Sequence, residues 1–148
     1  MTINFAILGA GRIGQVHARA VADNENAVLR AVADPMLDAA DAIADRYGCD
    51  VRTIDEIADS SDIDAVVICT PTDMHADLIE QFAHEKKAIF CEKPIDLDVA
   101  RVRDCLEVVA AEDGFLMVGF NRRFDPHFMA VREAIEKGQI GTPEMAII

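Results

Sequence analysis

Apolar positions along this chain alternate between two patterns. Short continuous runs, such as Ile3-Asn-Phe-Ala-Ile-Leu8, Ala31-Val-Ala33, Ala65-Val-Val-Ile-Cys69 and Ala88-Ile-Phe-Cys91, read as strands buried on both faces. Between them, apolar residues recur every three or four positions, the mark of helices with one buried stripe. The pattern predicts a strand at 3–8, a helix from Arg12 to about Asp23, a strand at 27–34, and a helix over 36–47 stopped by Gly48. A short strand near Val51 follows. Thr53 and Glu56 then form a capping box that opens a short helix to about Ala58. A strand at 64–70 is broken by Pro71, and a helix is expected over 73–85. Next come a strand at 88–91, a helix over 97–113 capped by Asp96 and ended at Gly114, and a strand at 115–118. A last helix over 126–137 stops at Gly138, and residues 145–148 read as the start of another strand. Strict alternation of strand and helix predicts an α/β fold with a parallel, doubly wound sheet. Right-handed crossovers give the strand order 3-2-1-4-5-6, with a ligand at the carboxyl ends of the strands.

Composition narrows the function classes. A chain of 148 residues is one domain's worth, and 51% apolar residues exclude a disordered chain. The net charge of −13 argues against nucleic acid and anionic membrane surfaces as partners. Neither a membrane-length apolar run nor a basic leader ahead of the first strand is visible, so a cytoplasmic location is expected. Cys49, Cys69, Cys91 and Cys105 show no CxxC spacing and no close His, which reads as reduced thiols rather than a metal site or a disulfide framework.

The chemistry is concentrated in the turns after the strands. Gly9-Ala-Gly-Arg-Ile-Gly14 follows the first strand and opens a helix, with Asp34 twenty residues after Gly14. Gly9 suits the tight turn, Gly11 the approach of a pyrophosphate, and Gly14 close helix–strand packing. Together they form the dinucleotide fingerprint of a Rossmann domain. The same glycines fit a kinase loop, but Val-Ala-Ile-Lys, His-Arg-Asp and Asp-Phe-Gly are all missing. A methyltransferase would usually carry an acid just before Gly9, where this chain has Ile7-Leu8. Asp34 can accept both hydroxyls of the adenosine ribose and would repel a 2′-phosphate. Pro35 and Met36 supply no cation there, so NAD is expected over NADP. The lesser alternative is that Asp34 only caps its own Asp-Pro turn.

Glu92-Lys93-Pro94 follows the fifth strand, near the nicotinamide end of such a crevice. A lysine there can take a proton from a substrate hydroxyl, and the X-Pro bond permits a cis peptide. Spacing alone favours a solvated turn. Thr70-Pro71-Thr72-Asp73-Met74-His75 follows the fourth strand, with His75 either at the site or a structural helix-start residue. Gly119-Phe-Asn-Arg-Arg-Phe-Asp125 puts Arg122 and Arg123 at the sheet edge, for a hydroxylated ligand or for a salt bridge with Asp125. His17, His84 and His127 fall in surface-helix patterns and receive no role.

In this order, these motifs resemble the glucose–fructose oxidoreductase / inositol dehydrogenase (Gfo/Idh/MocA) family over the whole chain, with Glu-Lys-Pro at 92–94 the most specific element. Within the family the resemblance is to its inositol-oxidising members. It implies oxidation of a cyclic polyol or sugar hydroxyl to a ketone, with hydride passed to NAD. Lys93 would be the catalytic lysine, and Asn121 and Arg123 would lie at the nicotinamide and substrate edge. Gly9, Gly11, Arg12, Ile13, Gly14, Asp34, Thr70, Pro71, His75 and Glu92 would surround the dinucleotide. Such proteins carry a second α/β domain whose Asp and His complete the proton relay and whose sheet makes oligomers. Residues 1–141 are accordingly expected to form the NAD-binding domain, and 142–148 to begin a C-terminal substrate and oligomerisation domain. The chain alone would then be nearly inactive and prone to self-association through its apolar C-terminal strand. The contrasting expectation is a stand-alone NAD-binding or redox-sensing module that docks on a partner.

Overall fold

The computed structural model describes residues 2–145. Six strands form one parallel sheet: β1 (Ile3–Leu8), β2 (Ala27–Ala33), β3 (Asp50–Val51), β4 (Ala65–Ile68), β5 (Ala88–Cys91) and β6 (Leu116–Val118). Their order is β3-β2-β1-β4-β5-β6, as the alternation predicts. Six helices connect or follow them: α1 (Arg12–Ala22), α2 (Leu37–Tyr47), α3 (Ile54–Ala58), α4 (His75–His84), α5 (Val99–Ala111) and α6 (Pro126–Glu136).

Strand side chains alternate between two cores. Ala6, Leu8, Val66, Ile68, Ile89 and Cys91 face α3, α4 and α5, where Ile57, Ile79, Phe82 and Cys105 are buried. Ile7, Val32 and Val67 face the other way, toward α1 and α2, and pack with Ala18, Val21, Ala40 and Ile43. Small residues dominate the helix side of this second core, which lets α1 and α2 lie close to the sheet. The cover stops short of the far edge: α6 buries none of its side chains, and Phe115 and Met117 are exposed.

Local structure departs from expectation in a few turns. The α5 cap is Asp98, which accepts the Ala100 N–H, and not Asp96. Asp96 instead accepts the Asp98 N–H at 2.8 Å, so the chain turns once more before the helix starts at Val99. Thr72–Met74 is a 3₁₀ turn ahead of α4, and Asn121–Phe124 is a second 3₁₀ turn ahead of α6. Among residues 145–148, Met145 is exposed and in no strand, and the rest lie outside the described residues.

Candidate functional site

The glycine turn is built as its residues dictate. Gly9 has φ +97°, and a Cβ there would meet the Cys69 carbonyl oxygen at 2.7 Å, so the turn needs both the left-handed backbone and the bare Cα. A Cβ on Gly14 would sit 1.8 Å from the Gly9 carbonyl oxygen, so the first turn of α1 packs directly on the loop. Gly11 is different: nothing lies within 4 Å of its missing Cβ, so the position stays open toward the crevice. No side chain caps α1, and the first helical bond runs from Gln15 N–H to the Gly11 carbonyl. The N–H groups ahead of it belong to a first turn that suits a phosphate. Arg12 and Ile13 stand exposed beside them.

Asp34 follows the last residue of β2 and faces this turn. Its Oδ2 accepts the Ala10 N–H at 2.6 Å, and its Oδ1 accepts the Met36 N–H at 2.8 Å. The carboxylate therefore caps its own turn, one of the two sequence readings, and it also fixes the glycine loop, which neither reading anticipated. It lines a crevice of about 870 Å³, with Gly9, Gly11, Thr70, Pro71 and Met74 among the other walls. The Thr70 hydroxyl is buried with no hydrogen-bond partner among the described residues. An orphaned hydroxyl, an open glycine and an uncapped helix start in one crevice fit a nucleotide diphosphate. Arg52 also lines this crevice, a cation that the sequence reading did not place there. It is bound to Asp50 at 2.7 Å and Asp62 at 2.8 Å, which hold the guanidinium charge and push its pKa further up.

His75 lies a layer beneath the crevice. It is 2% exposed. Its Nδ1 is 2.7 Å from the Pro94 carbonyl oxygen and its Nε2 is 2.8 Å from that of Thr70. Both ring nitrogens therefore join the turns after β4 and β5, and His75 shapes the walls instead of lining them.

On the other side of the turn, Lys93 leaves the end of β5 exposed, and the Lys93–Pro94 peptide is cis. Lys93, Phe120, Asn121, Arg122 and Arg123 line a second pocket of about 640 Å³. Asp125 does not pair with the arginines. Its Oδ1 accepts the His127 and Phe128 N–H groups and caps α6. Arg122 instead lies over the Phe128 ring at 4.8 Å. His17, read as a surface residue, turns inward: its Nε2 is 2.7 Å from Glu92 Oε1. The clue was its spacing, because His17 stands one turn after Gly14 and so shares the face packed on the sheet. All four cysteines are free, and burial pushes the thiols of Cys69 and Cys91 up to about 12 and that of Cys105 to about 11. None of the helices among the described residues is long and apolar enough to cross a membrane.

Comparison with known proteins agrees with this geometry. Residues 3–120 match the profile of the oxidoreductase family (GFO_IDH_MocA), NAD-binding Rossmann fold. An inositol 2-dehydrogenase of Rhizobium meliloti (strain 1021) is 68% identical over all of this chain and 45% of its own length. The crystal structure of a myo-inositol dehydrogenase from Corynebacterium glutamicum superposes with a TM-score of 0.87 at 40% identity, covering 96% of this chain and 43% of that one. A scyllo-inositol dehydrogenase from Lactobacillus casei, solved with bound NAD(H) and scyllo-inositol, gives a TM-score of 0.89 at 31% identity, covering 95% and 43%. The chain spans less than half the length of these relatives.

Proposed function

The chain belongs to the Gfo/Idh/MocA oxidoreductase family as its NAD-binding Rossmann domain, and from that premise we propose that it supplies the cofactor site and the proton-accepting lysine of a dehydrogenase acting on a cyclic polyol of the inositol kind. One observation carries the reading: Lys93, Asn121 and Arg123 share a pocket at the carboxyl ends of β5 and β6, across the sheet from the crevice at Asp34. A dinucleotide bound with its adenosine beside Asp34 and its diphosphate on the glycine turn crosses the switch point between β1 and β4 toward that pocket. NAD, when bound, supplies the two-electron acceptor. Lys93 takes the proton of the substrate hydroxyl as the carbinol C–H bond breaks and the ketone forms. Asn121 and Arg123 hold neighbouring hydroxyls, five guanidinium donors being well suited to a polyol.

The proposed division of labour is residues 1–141 as the NAD domain and 142–148 as the beginning of the part that closes the substrate site. Four free thiols fit a reducing compartment such as the cytoplasm, and the acidic surface fits a protein with no nucleic-acid partner. The exposed apolar side chains of α6 favour a second reading, an NAD-binding module docked on another protein.

Turnover separates the two. Residues 1–148 alone are expected to show only trace NAD reduction with myo-inositol, because positioning of the substrate is worth about 7–11 kcal/mol of barrier. Fusing the chain to the C-terminal half of the Rhizobium meliloti relative should restore activity. Lys93→Met in that fusion should abolish turnover and leave NAD binding nearly unchanged. Unimpaired turnover by the Lys93→Met fusion would refute the assignment, and a fusion that binds NAD but is inert toward polyols would favour the docking module.

A further inference from the structure

Glu92 and Lys93 are neighbours of opposite charge in the turn after β5, close enough for their side chains to fold onto each other. Here they do not: Lys93 has no ion pair among the described residues, and the Glu92 carboxylate is taken by His17. The His17–Glu92 pair is about three-quarters buried, with the two side chains 22% and 25% exposed. The imidazole ring also rests on Phe90, centroids 5.0 Å apart. Gly119 closes the other side, where a Cβ would come within 3.0 Å of the Phe90 ring and 3.4 Å of Glu92 Cδ. The Glu92 N–H is fixed on the Ile68 carbonyl at 3.0 Å, so both its backbone and its side chain are held. His17 meanwhile sits on α1, the helix that begins at the glycine turn.

We propose that His17 is a positioning residue for the nicotinamide end of the site: by holding the Glu92 carboxylate it keeps that charge off Lys93 and fixes the direction in which the lysine leaves β5. The inference rests on the reading of the Lys93 pocket given above. It also ties that pocket mechanically to the diphosphate end, because one helix carries both the open turn and His17. The contact is specific to the Nε2 position, which a glutamine amide reaches and an asparagine amide does not.

The test compares NADH with ADP-ribose, which lacks only the nicotinamide ring, on the purified chain and on its His17→Asn and His17→Gln variants. The unaltered chain should bind NADH more tightly than ADP-ribose. His17→Asn frees the Glu92 carboxylate, which Lys93→Met leaves held, and that loose charge at the nicotinamide end should weaken NADH by about tenfold, the low end for a hydrogen bond to a charged group, and leave ADP-ribose unchanged. His17→Gln should restore most of the loss. Equal weakening of both ligands, or equal behaviour of the Asn and Gln variants, would mean that His17 is only a packing residue. An unaltered chain that binds NADH no more tightly than ADP-ribose would instead overturn the placement of the nicotinamide beside Lys93, and this proposal with it.

Discussion

Asp34 shows what one residue contributes and how far the sequence discloses it. Its spacing from Gly14 announces a ribose-binding acid, and the structure adds that the same carboxylate already holds the Ala10 and Met36 N–H groups. Asp34→Ser should therefore narrow the preference for NAD over NADP by about 1–3 kcal/mol, as read by calorimetry with both cofactors. It should also cost some stability through the freed Ala10 N–H. Equal affinities in the unaltered chain would contradict the expectation. Arg52 is not expected to reverse that preference, because Asp50 and Asp62 already occupy its guanidinium. Arg52 sits among near neighbours in the chain, Asp50 and Asp62, but no local pattern places that cluster at the crevice; the spacing of His17 from Gly14 discloses its face, not its partner Glu92, which lies 75 positions away. The buried thiols yield a second expectation. A thiol held neutral by burial stabilises the fold fully below the unfolded value of about 8.5, and that contribution fades as pH climbs toward the folded values of about 11 to 12. Urea midpoints should fall from pH 8 to pH 10, and Cys105→Ala should make the fall shallower. An unchanged slope in that variant would remove Cys105 from the account.

At the scale of elements, the strands and their order were legible because continuous apolar runs separated by helical periods leave few alternatives. The beginnings of helices were less so. Asp96 and Asp98 each accept an N–H two residues ahead, so the two acids look alike in sequence, but only the turn at Asp98 continues as a helix. Asp98→Ala should thus destabilise the domain by about 1 kcal/mol, and Asp96→Ala by distinctly less, in paired urea unfolding curves. The reverse order would restore Asp96 as the cap. The two 3₁₀ turns escaped detection because they are single turns with no apolar period of their own. The one at Asn121–Phe124 matters more, because it carries Asn121 and Arg123 to the pocket that Lys93 enters.

For the whole molecule, the two faces of the sheet are unequally covered. The α3–α5 side is closed. On the α1–α2 side the cover ends before β6, leaving Phe115 70% and Met117 41% exposed, and α6 adds Met129 at 53% and Val131 at 57%. Exposed apolar side chains of this kind promote association. Sedimentation over a concentration series should show weak self-association that Met129→Lys with Val131→Lys reduces while the melting temperature holds. Loss of association on ending the chain at Gly141, with the double variant unaffected, would assign the contact to the C-terminal tail instead. The central claim is that one dinucleotide spans this domain, with its adenosine at Asp34, its diphosphate on the Gly9–Gly14 turn and its nicotinamide beside Lys93. A crystal structure of the chain grown with NAD tests it most directly. The account predicts the adenosine ribose hydroxyls on the Asp34 carboxylate and the nicotinamide ring opening onto the pocket of Lys93, Asn121 and Arg123. A ring turned away from that pocket, or an adenosine bound anywhere but the Asp34 crevice, would contradict it.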